Sequence, residues 1–280
     1  MREITAKKRK FCPFMLIYIK NRGIMKTRET KIREIENIGF FPRKSLGQNF
    51  LLDENALLFI KDSLEMTGNE LVIEIGAGTG ELSVILAREC KHLALIEIDS
   101  NLIPVLKEKT GDVCSVEIIE ADALKFDLTS YHPFQKLVFT VQKEAGERIV
   151  SGSHSKEYGV LPVIANCFYS CEIIKILSGD VFYPSPNVDS CVLTMTPRTD
   201  ILPEEGEIFK FSKFVKAAFS QRRKKISNSI SSYGGLPDMK EKMEKILIQK
   251  GFSSSSRAQE LSPVDLWDIF RIISSEKQEI

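Results

Sequence analysis

Gly76, Gly78 and Gly80 stand in "ELVIEIGAGTGELSVILAREC" (70–90), between a short apolar run and an amphipathic one. Glycines at this spacing permit a tight strand-to-helix turn and let backbone N–H groups approach an anionic or polar ligand. The spacing is G-x-G-x-G, not the G-x-G-x-x-G of dinucleotide binders, and Glu74 lies inside the strand just before the turn. Two carboxylates follow. Glu97 ends "HLALIEID" (92–99), where it can accept from both hydroxyls of a ribose, and Asp122 ends "VEIIEAD" (116–122), placed to receive an adenine amino group. Taken singly, the glycine turn could be a structural corner and either carboxylate a solvated strand end. In this order and at these intervals they point to S-adenosylmethionine and away from NAD.

These residues need an open α/β sheet that brings the C-terminal ends of successive strands to one crevice. The chain has 280 residues, 43% hydrophobic and 28% charged with a net charge of +1, the composition of an ordinary globular protein. No run of eighteen apolar residues exists, which argues against a membrane span. The six cysteines are scattered without metal-ligand pairs, so no metal is expected and they read as reduced core thiols of an intracellular protein. Residues 1–40 read as an N-terminal extension, partly disordered. In it "KKRKFCPFMLIYIK" joins a basic run to an apolar stretch too short to span a bilayer, and Met25 is an alternative start. Targeting or RNA contact is the competing use of that segment. After the linker "TPRTDILPEEGE" (196–207), helical patterns alternate with polar breaks and suggest a small all-helical domain. The expected division is therefore 41–198 for a methyltransferase domain and 206–280 for a helical one. Lys210, Lys213 and Lys216 recur every three residues, and "QRRKK" (221–225) follows. A solvated helix face is the bland reading, and contact with RNA phosphates the sharper one.

Upstream stands "RKSLGQNFLLD" (43–53), whose Gln48-Asn49-Phe50-Leu51 stretch, with the glycine motif, resembles the KsgA-type rRNA adenine N6-dimethyltransferases. The likeness resumes at "VQKEAGERI" (141–149), "SKEYGVLPV" (155–163), "FYPSPNVDS" (182–190), "AFSQRRKKISNSI" (218–230) and "RAQELSPVDLWDIF" (257–270), and so covers residues 40–272. The resemblance implies a Rossmann-like S-adenosylmethionine-dependent methyltransferase sheet with a small C-terminal all-helical domain. It implies transfer of methyl groups to two adjacent adenosines in the 3′-terminal hairpin of small-subunit rRNA. It also implies cofactor contacts at Asn49, Leu51, Gly76, Glu97 and Asp122, and RNA contacts at Arg222, Arg223, Lys224 and Lys225. Phe182 would lie beside the target base, with a core phenylalanine as the alternative. The partner implied is the immature small ribosomal subunit, met by a cytoplasmic monomer.

One part of the pattern is missing. The family places a fourth strand after the Asp122 region, ending in an Asn-Leu-Pro-Tyr type motif that holds the target amine, and then a helix. Here no Asn lies between Asn101 and Asn166, and only residues 128–135 separate Asp127 from Lys136. A strand and a crossover helix need at least ~10–12 residues. The sheet is thus expected to be shortened by one strand and one helix. "KLVFTV" (136–141) would then move beside the glycine-turn strand and set Gln142 near the place of the catalytic Asn. The other outcome keeps the family layout with a hole in the sheet. Gln142 and Phe182 are the only catalytic candidates, and the expectation is weak cofactor binding with little methyl transfer. Three functions compete: the rRNA adenine dimethyltransferase, a non-catalytic rRNA-binding assembly factor, and a small-molecule methyltransferase, which would leave the basic helical region without a role.

Overall fold

The structure is a computed structural model that describes residues 27–37, 41–43, 46–111, 115–128, 134–233 and 238–275. In chain order its elements are α1 (Arg28–Asn37), β1 (Phe50–Leu51), α2 (Glu54–Ser63), β2 (Leu71–Ile75), α3 (Glu81–Ala87), β3 (His92–Glu97), α4 (Ile103–Thr110) and β4 (Ser115–Glu120). There follow β5 (Leu137–Gln142), α5 (Lys143–Ile149), α6 (Val160–Phe168), β6 (Tyr169–Leu177), β7 (Phe182–Tyr183) and β8 (Ser190–Pro197). The chain ends in α7 (Glu207–Ala218), α8 (Ile226–Ser229), α9 (Met239–Gln249) and α10 (Pro263–Ser275). Two compact units form, Met1–Pro133 with Leu177–Asp189, and Phe134–Ile176 with Ser190–Ile280.

The first unit is built on a parallel sheet of order β2-β3-β4. Its middle strand carries Leu93, Ala94, Leu95 and Ile96, all fully buried. Such an unbroken apolar run suits a parallel strand covered on both faces. Leu86 and Ala87 at the end of α3, Cys90 just beyond it and Leu106 of α4 join Leu93 and Leu95 in one core cluster. At the start of α2, Asp53 Oδ1 accepts from the Ala56 amide at 2.8 Å and satisfies one of the free N–H groups of the first turn. Helix α1, which lies within the segment read as an extension, is part of this unit. Lys31 Nζ donates to Leu52 O at 3.0 Å and sits 3.4 Å from Glu81 Oε2, and Arg28 donates to Phe182 O at 2.9 Å. Ile35 shares a core cluster with Phe50, Leu52 and Leu102. The basic-apolar stretch "KKRKFCPFMLIYIK" lies outside the described residues.

The second unit holds a sheet of order β5-β8-β6, with β5 and β8 antiparallel from Leu137↔Met195 to Gln142↔Ser190. Its core is aromatic. Phe168 of α6 and Phe211 of α7 each meet the Trp267 ring of α10 edge-on, with centroids 5.0 Å apart. Tyr158, Val163 and Cys167 join the same cluster as Phe214, Met243 and Phe270. This shared core explains why the units do not divide at 198–206. The C-terminal helices bury their apolar faces on α6, and Ile201 of the linker packs there too.

One expectation is corrected. Among the described residues no ladder joins β5 to β2: β5 pairs with β8, and β2 with β3. The six-residue register with β8 occupies one edge of β5 and leaves the other open, since β5 is the outer strand of its sheet. An open edge also costs less than a buried one, because unpaired edge groups that face solvent bond to water. Phe139, Thr140 and Gln142 of β5 are indeed exposed.

Candidate cofactor site

The glycine turn and the end of β3 are tied directly together. The Gly78 amide donates to Glu97 Oε2 at 2.8 Å, and the Asp99 amide donates to Glu97 Oε1 at 2.9 Å. Glu97 is only 4% exposed, so both oxygens are fixed by backbone donors. Each oxygen still has a second lone pair with which to accept from a ligand. Gly76 has φ +74°, a left-handed conformation that side chains rarely adopt. No atom lies within 4 Å of the place a Cβ would take there, whereas at Gly78 (φ +57°) a Cβ would meet the Phe50 ring at 3.0 Å. The turn is therefore packed on the Gly78 side and open on the Gly76 side. An open, backbone-lined turn beside a fixed carboxylate fits the nucleoside and amino-acid parts of S-adenosylmethionine.

Asp122 is placed one residue past Ala121, whose amide bonds to Glu97 O at 3.0 Å. Its carboxylate is not idle: Oδ1 accepts from Leu124 N at 3.0 Å and Oδ2 lies 3.3 Å from Lys125 Nζ. Asn49 is exposed, with its amide on Gly47 O at 3.2 Å, and Leu51 is half-buried opposite Phe182 in the β1–β7 pair. Phe182 is 5% exposed, packed as a core side chain. Gln142 ends β5 in the second unit, exposed and without a capping bond.

Sequence reasoning missed Asp99. It is 1% exposed and accepts from Gln48 Nε2 at 2.8 Å and from Asn101 N and Nδ2 at 3.1 Å each, with Arg43 Nη1 3.5 Å away. The Asp two residues after Glu97 was visible in "IEID", but nothing in the spacing tied it to Gln48. Glu74 is the second group of interest. Its Oε2 is buried without a hydrogen-bond partner, as is the Ser83 hydroxyl. Burial pushes the Glu74 carboxyl up to about 8, and the nearby Glu97 charge adds to the rise.

The basic residues lie in the second unit. Lys210, Lys213 and Lys216 are carried on α7, with Lys213 Nζ 4.3 Å above the Phe209 ring and with Lys210 and Lys216 exposed. Arg223, Lys224 and Lys225 are exposed between α7 and α8. Arg222 differs. Its Nη2 donates to the carbonyls of Lys156 and Tyr158, both at 2.9 Å, so it holds the approach to α6. Among the described residues no group of acidic, His and Cys side chains could hold a metal ion, and no helix is long and apolar enough to cross a membrane.

A parallel strand–turn–helix sheet with a glycine turn braced on a strand-end glutamate defines the S-adenosylmethionine-dependent methyltransferase class. The model of the ribosomal RNA adenine dimethylase family matches residues 39–134 and 128–274, and the chain belongs to that family. The ribosomal RNA small subunit methyltransferase A of Pediococcus pentosaceus is 32% identical, over 88% of this chain and 95% of its own. That of Streptococcus gordonii is 33% identical with the same coverage. Among solved structures, a dimethyladenosine transferase from Plasmodium falciparum shares the fold, with a TM-score of 0.71 at 20% identity over 82% of this chain and 98% of that one.

The alignments are longer than the part of this chain that they cover. The Pediococcus alignment runs over 284 positions, to which 88% of 280 residues contributes about 246, leaving about 38 positions of the relative without a counterpart here. With the Streptococcus protein, 279 positions against the same 246 leave about 33. The two stretches matched by the family meet at residues 128–134, where the sequence pattern breaks.

Proposed function

We propose that this protein is an S-adenosylmethionine-dependent rRNA adenine N6-dimethyltransferase whose substrate is the adjacent adenosine pair in the 3′-terminal hairpin of small-subunit rRNA. The observation that carries the reading is the Gly78–Glu97 brace beside the open face of Gly76, within a chain of this family. The cofactor supplies an electrophilic methyl group on a sulfonium. The chain's own part is binding and orientation. Glu97 accepts from the ribose hydroxyls, Asp122 receives the adenine amine, and Asn49, Leu51 and the Gly76 backbone border the rest. Holding the donor in one pose is a large share of what an enzyme can contribute to such a transfer. Arg223, Lys224 and Lys225 meet RNA phosphates, and the protein acts as a cytoplasmic monomer on the immature small subunit.

The about 33–38 positions without a counterpart are enough for the strand, motif and crossover helix that the sequence lacks. Without acceptors for the target amine, positioning on the RNA side is lost, and turnover falls far below that of a full-length relative. A tritium-methyl transfer assay on unmethylated small subunits, with the Pediococcus protein as benchmark, tests both parts. Methylation confined to the adenosine pair supports the assignment. Turnover equal to the benchmark would remove the impairment, and RNA binding with no transfer at all would leave the rRNA-binding factor as the better description.

A further inference from the structure

We propose that Asp99 is a positioning residue that locks Gln48, and Arg43 with it, onto the Glu97 end of β3, and thereby sets Asn49 and Leu51 for the cofactor. This rests on the reading of the first unit as a cofactor site. A turn-capping aspartate needs one oxygen, and here Oδ1 serves that purpose with Asn101 N and Nδ2. The other oxygen reaches 51 positions back along the chain to Gln48 Nε2 at 2.8 Å. Gln48 cannot turn its amide over without loss, because its Oε1 accepts from Arg43 N at 2.7 Å. Leu46 N also donates to Arg43 O at 3.1 Å, and the Arg43 guanidinium lies 3.5 Å from Asp99 Oδ1.

Asp99 also acts in the other direction. Its amide donates to Glu97 Oε1, so one residue fixes both the ribose carboxylate and Gln48, which precedes Asn49 and Leu51. Nearly complete burial keeps water from replacing these bonds, which makes a mismatched donor there costly. A residue with only a turn-forming task would not need the Gln48 bond, and its loss would not reach the cofactor.

Binding of S-adenosylhomocysteine by calorimetry, with hydrogen exchange of residues 46–51, tests the lock in the full chain. Asp99→Asn sets a donor against a donor and weakens binding roughly tenfold, with faster exchange at 46–51, at a temperature where the variant is fully folded. The double variant Asp99→Asn with Gln48→Glu reverses donor and acceptor, while the new carboxylate still accepts from Arg43 N. It restores affinity to within about threefold of wild type. An Asp99→Asn protein with unchanged affinity and unchanged exchange would overturn the proposal, as would a double variant no better than the single. If wild type binds no S-adenosylhomocysteine but Asp99→Asn still speeds exchange at 46–51, the lock stands and the cofactor reading falls.

Discussion

The Gly78 amide donates to Glu97 Oε2 at 2.8 Å across nineteen positions of sequence, and so joins the glycine turn to the neighbouring strand. Glu97→Gln places an amide N–H2 against one of two backbone N–H donors, at Gly78 or at Asp99. It also removes the charge that accepts from a ribose. The expected result is a loss of S-adenosylhomocysteine affinity of roughly ten- to a hundredfold, about 1.4–2.8 kcal/mol. Calorimetric titration checks it, and unchanged affinity would show that Glu97 serves the turn alone.

Gly76 and Gly78 share a positive φ but not a setting, and alanine at each should behave differently. At Gly76 only the left-handed backbone resists, at about 1–2 kcal/mol. At Gly78 the new Cβ would also press on Phe50, which is buried in the cluster with Ile35 and Leu52. Gly78→Ala should therefore unfold at lower denaturant than Gly76→Ala by a further ~1 kcal/mol or more. Gly76→Ala should cost cofactor affinity out of proportion to its stability, since its Cβ enters the open side of the turn. Equal stability of the two variants would contradict the packing of Gly78 on Phe50.

Much of the first unit was legible in the sequence because its signals are local. An apolar run, a glycine turn and a polar strand end follow one another within about fifty residues, and β2, α3, β3 and β4 form where those patterns stand. What was not legible depended on distant partners. Gln48 and Asp99 are polar residues with no periodic signature, and only folding brings them to 2.8 Å. The placement of β5 failed for the same reason. An alternating strand does not state its neighbour, and β5 finds its ladder on β8, fifty residues on. Arg222 looked like its three basic neighbours in "QRRKK", yet two carbonyls more than sixty residues upstream claim it.

Glu74 makes stability depend on pH. Its folded value is raised to about 8 from an ordinary 4.5, so the folded chain keeps a proton that the unfolded chain releases. Where the folded state binds more protons, stability falls as pH rises. The contribution is fully present below about 4.5 and lost progressively as pH climbs to about 8. The residue as a whole is half-buried by its exposed area, which holds the effect to roughly 1–3 kcal/mol. Urea unfolding at pH 5, 6.5 and 8 should show the decline in wild type and a flatter profile in Glu74→Gln. Parallel profiles would mean that the carboxyl titrates normally.

The basic turn offers a test in which stability and RNA affinity separate. Arg222→Ala removes two hydrogen bonds to the carbonyls of Lys156 and Tyr158, and should lower stability by about 1 kcal/mol. Its salt dependence of RNA binding should change little, because that guanidinium is held by the protein. Arg223→Ala, Lys224→Ala and Lys225→Ala alter exposed side chains and should leave the unfolding midpoint in place. Each should instead flatten the slope of log affinity against log salt by about 1 for every RNA phosphate that is no longer neutralised. Filter binding of the 3′-terminal small-subunit hairpin at several salt concentrations, beside urea unfolding, reads both quantities. Slopes unchanged in all three variants would move the RNA contact elsewhere, with exposed Lys210 and Lys216 on α7 next in line.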